Sequence, residues 1–332
     1  MKYQYNYLKI NNAKEYFDAI DNNFVCLIYP TYLVKKLKEE ILNFNDDSAN
    51  KQYGYARFLY TNHENKNELH KAYGIIKKLN EINHIPSTYF YGLILMDGKV
   101  IKDETKAIEC FKQGYKKNFA LSIYELAKAY YYGHGVKQNI NKAIKLLNKA
   151  SKRNCPQAMT FLASLYVNGN NIRKDYKKAI KLLNKSISLS DPNAYYMLAQ
   201  MYHKGIGVEV DLNKAFMYYD NAANDEIVDA LLMCGHLILS NQISGKENLN
   251  ATDYYKKAAY LNNAEGMYFY ATNLLIDKGC NKDVVEGRKL MEKAANLGHE
   301  LAIKIINGKK ENENENKTIW FLWIWKYSKW LT

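Results

Sequence analysis

Apolar and polar positions along residues 122–226 follow a helical rhythm that restarts at regular intervals. Around Ala158 the apolar residues Ala158, Leu162, Leu165 and Tyr166 recur at the spacing of one helix face. They predict a helix, A, over about Gln157–Val167. Asn168-Gly169 ends it, because glycine tolerates the left-handed backbone at a helix C-terminus. A second stripe, Ala179, Leu182, Leu183, Ser186 and Leu189, predicts helix B over about Tyr176–Ser188. Ser190-Asp191-Pro192 then supplies a stop and a restart.

This two-helix phrase recurs. Lys178-Ala-Ile-Lys-Leu-Leu-Asn-Lys-Ser186 nearly copies Lys142-Ala-Ile-Lys-Leu-Leu-Asn-Lys-Ala150, and Lys214-Ala-Phe-Met-Tyr-Tyr-Asp-Asn-Ala222 is a looser copy. Its alanine stands at Ala107, Ala143, Ala179, Ala215 and Ala251, with Gly287 next, a step of 36 residues (143 − 107). Self-similarity at such a period is the mark of a solenoid, in which each helix pair stacks on its neighbours. Residues 122–154, 158–190 and 194–226 are the clearest units, with 51–83, 87–118, 230–262 and 266–298 as weaker ones. Small residues hold fixed places: Ala127, Ala163, Ala199, Gly235 and Ala271 in helix A, and Gly114, Ala150, Ser186, Ala222, Ala258 and Ala294 in helix B. They mark close helix approaches, where a leucine would overpack at a cost of roughly 1–3 kcal/mol.

The pattern divides the chain into three parts. Residues 1–50 lie outside the period and are read as an N-terminal helical cap, of the kind solenoids need over their first apolar face. There, Phe24-Val-Cys-Leu-Ile-Tyr29 fits a strand or a buried helix segment, and Pro30 opens a stripe of Leu33, Leu37, Ile41 and Phe44. Residues 51–308 are the repeat array, about seven units. Residues 309–332 begin as a polar low-complexity linker and end in a Trp-rich tail.

The unit Ala194-x-x-x-Leu-Ala-x-x-Tyr202-x-x-Gly-x-Gly207-Val-x-x-Asp211-x-x-Lys-Ala215-x-x-Tyr-Tyr-x-x-Ala-Ala223 resembles the Sel1-like repeat, a relative of the tetratricopeptide repeat. Tyr130-Tyr-Tyr-Gly-His-Gly-Val136 with Lys142-Ala143 carries the same resemblance, which extends over roughly residues 51–306. It implies an all-α fold, a right-handed α/α solenoid of Sel1-like helix-turn-helix repeats. It also implies a non-enzymatic adaptor that binds a protein partner on a concave face formed largely by A helices. Secreted bacterial members hold each repeat with a cysteine pair, a pattern this chain lacks.

Composition changes this picture little. The net charge of +13 permits acidic partners, RNA or anionic lipid. However, Lys106, Lys142, Lys178 and Lys214 recur before the period alanine, which suits a solvated face better than a phosphate groove, and no RNA-binding motif accompanies them. Cys26, Cys110, Cys155, Cys234 and Cys280 are odd in number and scattered, so they read as reduced residues of an intracellular, cytoplasmic protein without a metal site. The N-terminus shows no apolar signal region. No nucleophile–base pair, P-loop or zinc motif is legible, so neither a catalytic residue nor a cofactor is assigned.

The functional expectation rests on the faces of helix A that the core leaves over. At period 36 the first row reads Tyr124, Thr160, Tyr196, Leu232 and Tyr268, the second Lys128, Ser164, Gln200, His236 and Thr272, and the third Tyr131, Val167, His203, Leu239 and Leu275; the aromatic and polar members Tyr124, Lys128, Tyr131, Thr160, Tyr196, Gln200, His203, His236, Tyr268 and Thr272 are the candidate contacts. Aromatic residues mixed with polar ones suit a partner surface, since tyrosine buries area at little entropic cost. The competing reading is that individual members pack against the next helix A. In the tail, Trp320, Trp323, Trp325 and Trp330 sit within a segment too short to span a bilayer. It suits peripheral membrane contact through 319–331 or docking on protein. A tail-anchored membrane-surface adaptor and an RNA-binding helical array are therefore the alternative functions.

Overall fold

The computed structural model describes residues 8–9, 27–28 and 48–311, apart from 64, 170, 241, 245–248 and 278; side chains of 8–9, 27–28 and 308–311 are not described. Two short strands, β1 (Leu8–Lys9) and β2 (Leu27–Ile28), pair in parallel. The rest is helical: α1 (Ala49–Thr61), α2 (Lys66–Glu81), α3 (Ile85–Asp97), α4 (Glu104–Lys116), α5 (Ala120–Tyr132), α6 (Ile140–Lys152), α7 (Pro156–Asn168) and α8 (Tyr176–Ile187). There follow α9 (Pro192–Lys204), α10 (Leu212–Asn224), α11 (Val228–Leu239), α12 (Ala251–Tyr260), α13 (Ala264–Ile276), α14 (Val284–Asn296) and α15 (Glu300–Glu311). Among the described residues A and B helices alternate as expected of an all-α repeat array, in seven pairs with α15 as a further A helix. The stretch 30–44 and the tryptophan tail lie outside the described residues.

The chain forms two compact units, residues 1–194 and 195–332. In the first, Phe58, Ile76, Phe111, Leu147 and Leu162 belong to one buried cluster. In the second, Phe216, Tyr219, Tyr255, Leu275 and Met291 belong to another. Within each unit a B helix packs on its own A helix and on the next, as α6 does on α5 and α7.

Most repeats are punctuated by three recurring devices. The B helices open on a side-chain cap: Asp103, Asn139, Asp175, Asp211 and Asp283 each accept the backbone N–H three residues on. The A helices close on a left-handed residue, Gly98, Gly133 and Gly169, with Asp277 (φ 58°) in the last repeat. The B helices close likewise on Asn83, Asn118, Asn154, Ser190, Glu226 and Asn262, all with φ near 60°. Asparagine tolerates that conformation better than serine does. Ser190→Asn is therefore expected to stabilise the protein by about 0.5–1 kcal/mol, read from the urea midpoint.

The small residues sit where the period places them. Ala127, Ala163, Ala199 and Ala271 are fully buried. A methyl group on Gly235 would stand 2.5 Å from the Tyr255 ring, and one on Gly266 would stand 2.6 Å from the Ala258 side chain.

Candidate functional site

In the first unit, α5 and α7 bring together residues that are far apart in sequence. The Phe161 ring of α7 lies 5.1 Å from Tyr131, 6.2 Å from Tyr132 and 6.4 Å from Tyr124, all three on α5. Tyr132 stacks on His134, in the loop just past Gly133, at 5.6 Å. Tyr132 is 54% exposed, an unusual position for a tyrosine with three aromatic neighbours. Beside this cluster, Lys128 Nζ pairs with Glu125 Oε2 at 3.0 Å and lies 5.3 Å from the Tyr124 ring centre. Burial pushes the Glu125 carboxyl and the Tyr124 phenol upward, and Lys128 opposes the Glu125 shift.

Thr160 turns out to be committed elsewhere. Its Oγ1 donates to Asp191 Oδ2 at 2.5 Å and lies 3.0 Å from Ser186 Oγ. Ser186 Oγ is within donating distance of both Asp191 Oδ2 (2.8 Å) and the Pro156 carbonyl (2.9 Å). Asp191 Oδ1 accepts the Asn193 backbone N–H at 3.2 Å. Ser186 and Asp191 are fully buried. This polar knot occupies a place where the preceding repeat has Ala150 and Cys155.

In the second unit the exposed-row residues of α9 and α11 cap buried tyrosines of α10 and α12. Tyr196 packs on Tyr219 at 5.6 Å, and burial raises its phenol while Gln200 opposes the rise. His203 Nδ1 lies 3.4 Å from the Tyr219 hydroxyl. His236 Nδ1 lies 3.0 Å from the Tyr255 hydroxyl, while its Nε2 stands 3.8 Å from Glu265 Oε1 and its ring meets Phe269 edge-on at 4.9 Å. The His236 contact holds the Glu265 carboxyl low; burial raises both tyrosine phenols and lowers His203.

Two members of the expected surface differ in the structure. Tyr268 is only 2% exposed and Thr272 is buried. For Tyr268 the reason is His299, which caps α15 through Nδ1 and stacks on the Tyr268 ring at 4.4 Å; Thr272 Oγ1 donates back to the Tyr268 carbonyl on its own helix. Tyr132, His134 and Phe161 were not singled out by the row argument. For Tyr132 and His134 the available signal was their place beside Tyr131 around Gly133; Phe161 carried none. The repeating lysines have intramolecular partners: Lys142, Lys178 and Lys214 lie over the rings of Tyr130, Tyr166 and Tyr202, at 4.0, 5.6 and 5.3 Å. Trp320, Trp323, Trp325 and Trp330 lie outside the described residues. Among the described residues no cluster of three metal-binding side chains occurs, and no helix is long and apolar enough to cross a membrane.

The Sel1 repeat model matches residues 85–119, 120–155, 156–191, 192–225, 246–263 and 264–299. No curated protein matches the sequence. Among solved structures, a Sel1 repeat protein from Oxalobacter formigenes is 25% identical with a TM-score of 0.61, over 74% of this chain and 99% of that one. Two immunity proteins from Pseudomonas aeruginosa, PA5088 and Pa5087, are each 19% identical with TM-scores of 0.51. The first aligns over 74% of this chain and 92% of its own, the second over 68% and 86%.

Proposed function

The chain belongs to the Sel1 repeat family, and from that premise we propose that it is a non-enzymatic scaffold whose A-helix face on α5 and α7 holds a protein partner. Sel1 repeat proteins generally mediate protein–protein interaction. The observation that carries the reading to this face is the half-open aromatic cluster of Tyr131, Tyr132, His134 and Phe161, edged by the Glu125–Lys128 pair. Such a patch combines rigid ring area with polar tips, the composition of binding hot spots. In the second unit Tyr196, Gln200, His203 and His236 supply a similar mixture.

The test begins with cross-linked capture of the full chain's partner from its native cell, followed by titration of that purified protein. Tyr132→Ala with His134→Ala is expected to weaken its binding roughly 30-fold, the loss of one hot spot of about 2 kcal/mol, with unchanged helicity. Equal affinity of parent and variant would remove the site from this face. Loss of binding only on deleting residues 312–332 would transfer it to the tail.

A further inference from the structure

The positive charge of this protein is not evenly spread. Residues 1–194 hold 31 basic and 17 acidic side chains, whereas residues 195–332 hold 16 and 17. Within the first unit, residues 137–190 carry 12 basic side chains and a single acidic one, Asp175. Three of the twelve have internal partners: Lys142 lies on Tyr130, Lys149 lies 3.9 Å from the Tyr115 ring centre, and Lys178 pairs with Asp175 at 3.1 Å. Lys145 and Lys152 on α6, and Lys177, Lys181 and Lys185 on α8, are exposed. None of these five forms an ion pair with a described residue.

Helix electrostatics accounts for only part of this array. Lysines in a last helical turn compensate the negative end of the helix dipole, which explains Lys152 and Lys185. Lys145 and Lys181 stand in mid-helix, in the same register of successive B helices. Lys177 stands in the first turn of α8, where a positive charge opposes the dipole. Helix electrostatics therefore leaves Lys145, Lys177 and Lys181 without an account inside the molecule.

We propose that the exposed lysine face of α6 and α8 is a second docking surface, which takes an acidic polypeptide segment by charge complementarity. This surface is on B helices and is independent of the aromatic patch on α5 and α7. Its ammonium groups act as point charges and lack a two-pronged grip on phosphate. Only Arg153 and Arg173 among the twelve have the planar fork that grips phosphate in two places. No large apolar side chain is exposed between residues 133 and 209, so the face offers neither a stacking platform for unpaired bases nor a wedge for a bilayer interface.

The probe is a fluorescent oligoglutamate peptide, titrated by anisotropy against the full chain at about 0.1 M salt, where the screening length is still about 10 Å. The quadruple variant Lys145→Gln, Lys152→Gln, Lys181→Gln and Lys185→Gln is expected to bind roughly 10- to 100-fold more weakly, the sum of four exposed charge pairs. A control that removes equal charge, Lys204→Gln, Lys289→Gln, Lys293→Gln and Lys304→Gln, is expected to change affinity less than about threefold by long-range charge alone. Equal losses in both variants would show a response to net charge and overturn the site. Tighter binding of a single-stranded oligoribonucleotide or of phosphatidylserine vesicles, lost in the first variant only, would replace the acidic polypeptide with that partner.

Discussion

Replacing Tyr255 by alanine is expected to destabilise the second unit by about 3–5 kcal/mol, as large cavities at fully buried aromatic sites do. The side chain has no solvent exposure and stacks on Phe269 at 4.9 Å. It also fills the space left by Gly235, whose helix comes so close that even one added methyl group would collide with it. The conservative change separates packing from polarity. Tyr255→Phe keeps the ring and removes only the bond to His236, and its expected cost is about 0.5–1.5 kcal/mol. Urea unfolding of the three proteins, followed by helicity and by tyrosine fluorescence, measures both differences. Near-equal costs for the two substitutions would mean that the His236 bond, and not the ring, holds α12 on α11.

Substituting Asp191 by alanine is expected to cost about 2–4 kcal/mol, because it removes the one carboxylate that accepts from Thr160, Ser186 and the Asn193 backbone N–H together. Ser186 Oγ is fully buried and loses its carboxyl partner, and the Asn193 backbone N–H loses its cap. The preceding repeat suggests the rescue. With Ala150 and Cys155 in those places it needs no polar knot. Ser186→Ala combined with Asp191→Cys is therefore expected to recover at least about half of the loss, since removing both partners spares the unsatisfied group. A double-mutant cycle on the unfolding midpoint isolates this coupling. Additive single costs would mean that the Ser186 and Asp191 side chains act separately.

Both predictions concern residues whose importance the linear pattern conveyed only in part. The period marked Gly235 as a close approach, but only the fold shows that the Tyr255 ring fills the gap. Asp191 read as a turn signal, which it is, since it caps α9's first turn. Its second task, binding Thr160 and Ser186, depends on α7 and α8 meeting at that point. Thr160 therefore looked free on its own helix while its hydroxyl was already in use. Tyr268 and Thr272 likewise stood in an exposed row by spacing, yet His299 covers Tyr268 and Thr272 is buried with its hydroxyl bonded to its own helix.

What the sequence determined by itself was everything local and periodic. Helix pairs follow from three-to-four spacing of apolar residues. Their ends follow from cap residues such as Asp175 and Asp211 and from Gly133, Gly169 and Gly205. The repeat architecture follows from the 36-residue step, and the resemblance to the Sel1-like repeat from the motif residues between Ala194 and Ala223. These features recur because every repeat solves the same packing problem, so each copy confirms the others. The tertiary structure alone decided which side chains of the unburied rows stay accessible. That depends on the neighbour each helix meets, and the neighbours are where the repeats differ: Phe161 opposite Tyr131 and Tyr132, His299 over Tyr268, and Asp191 beneath Thr160.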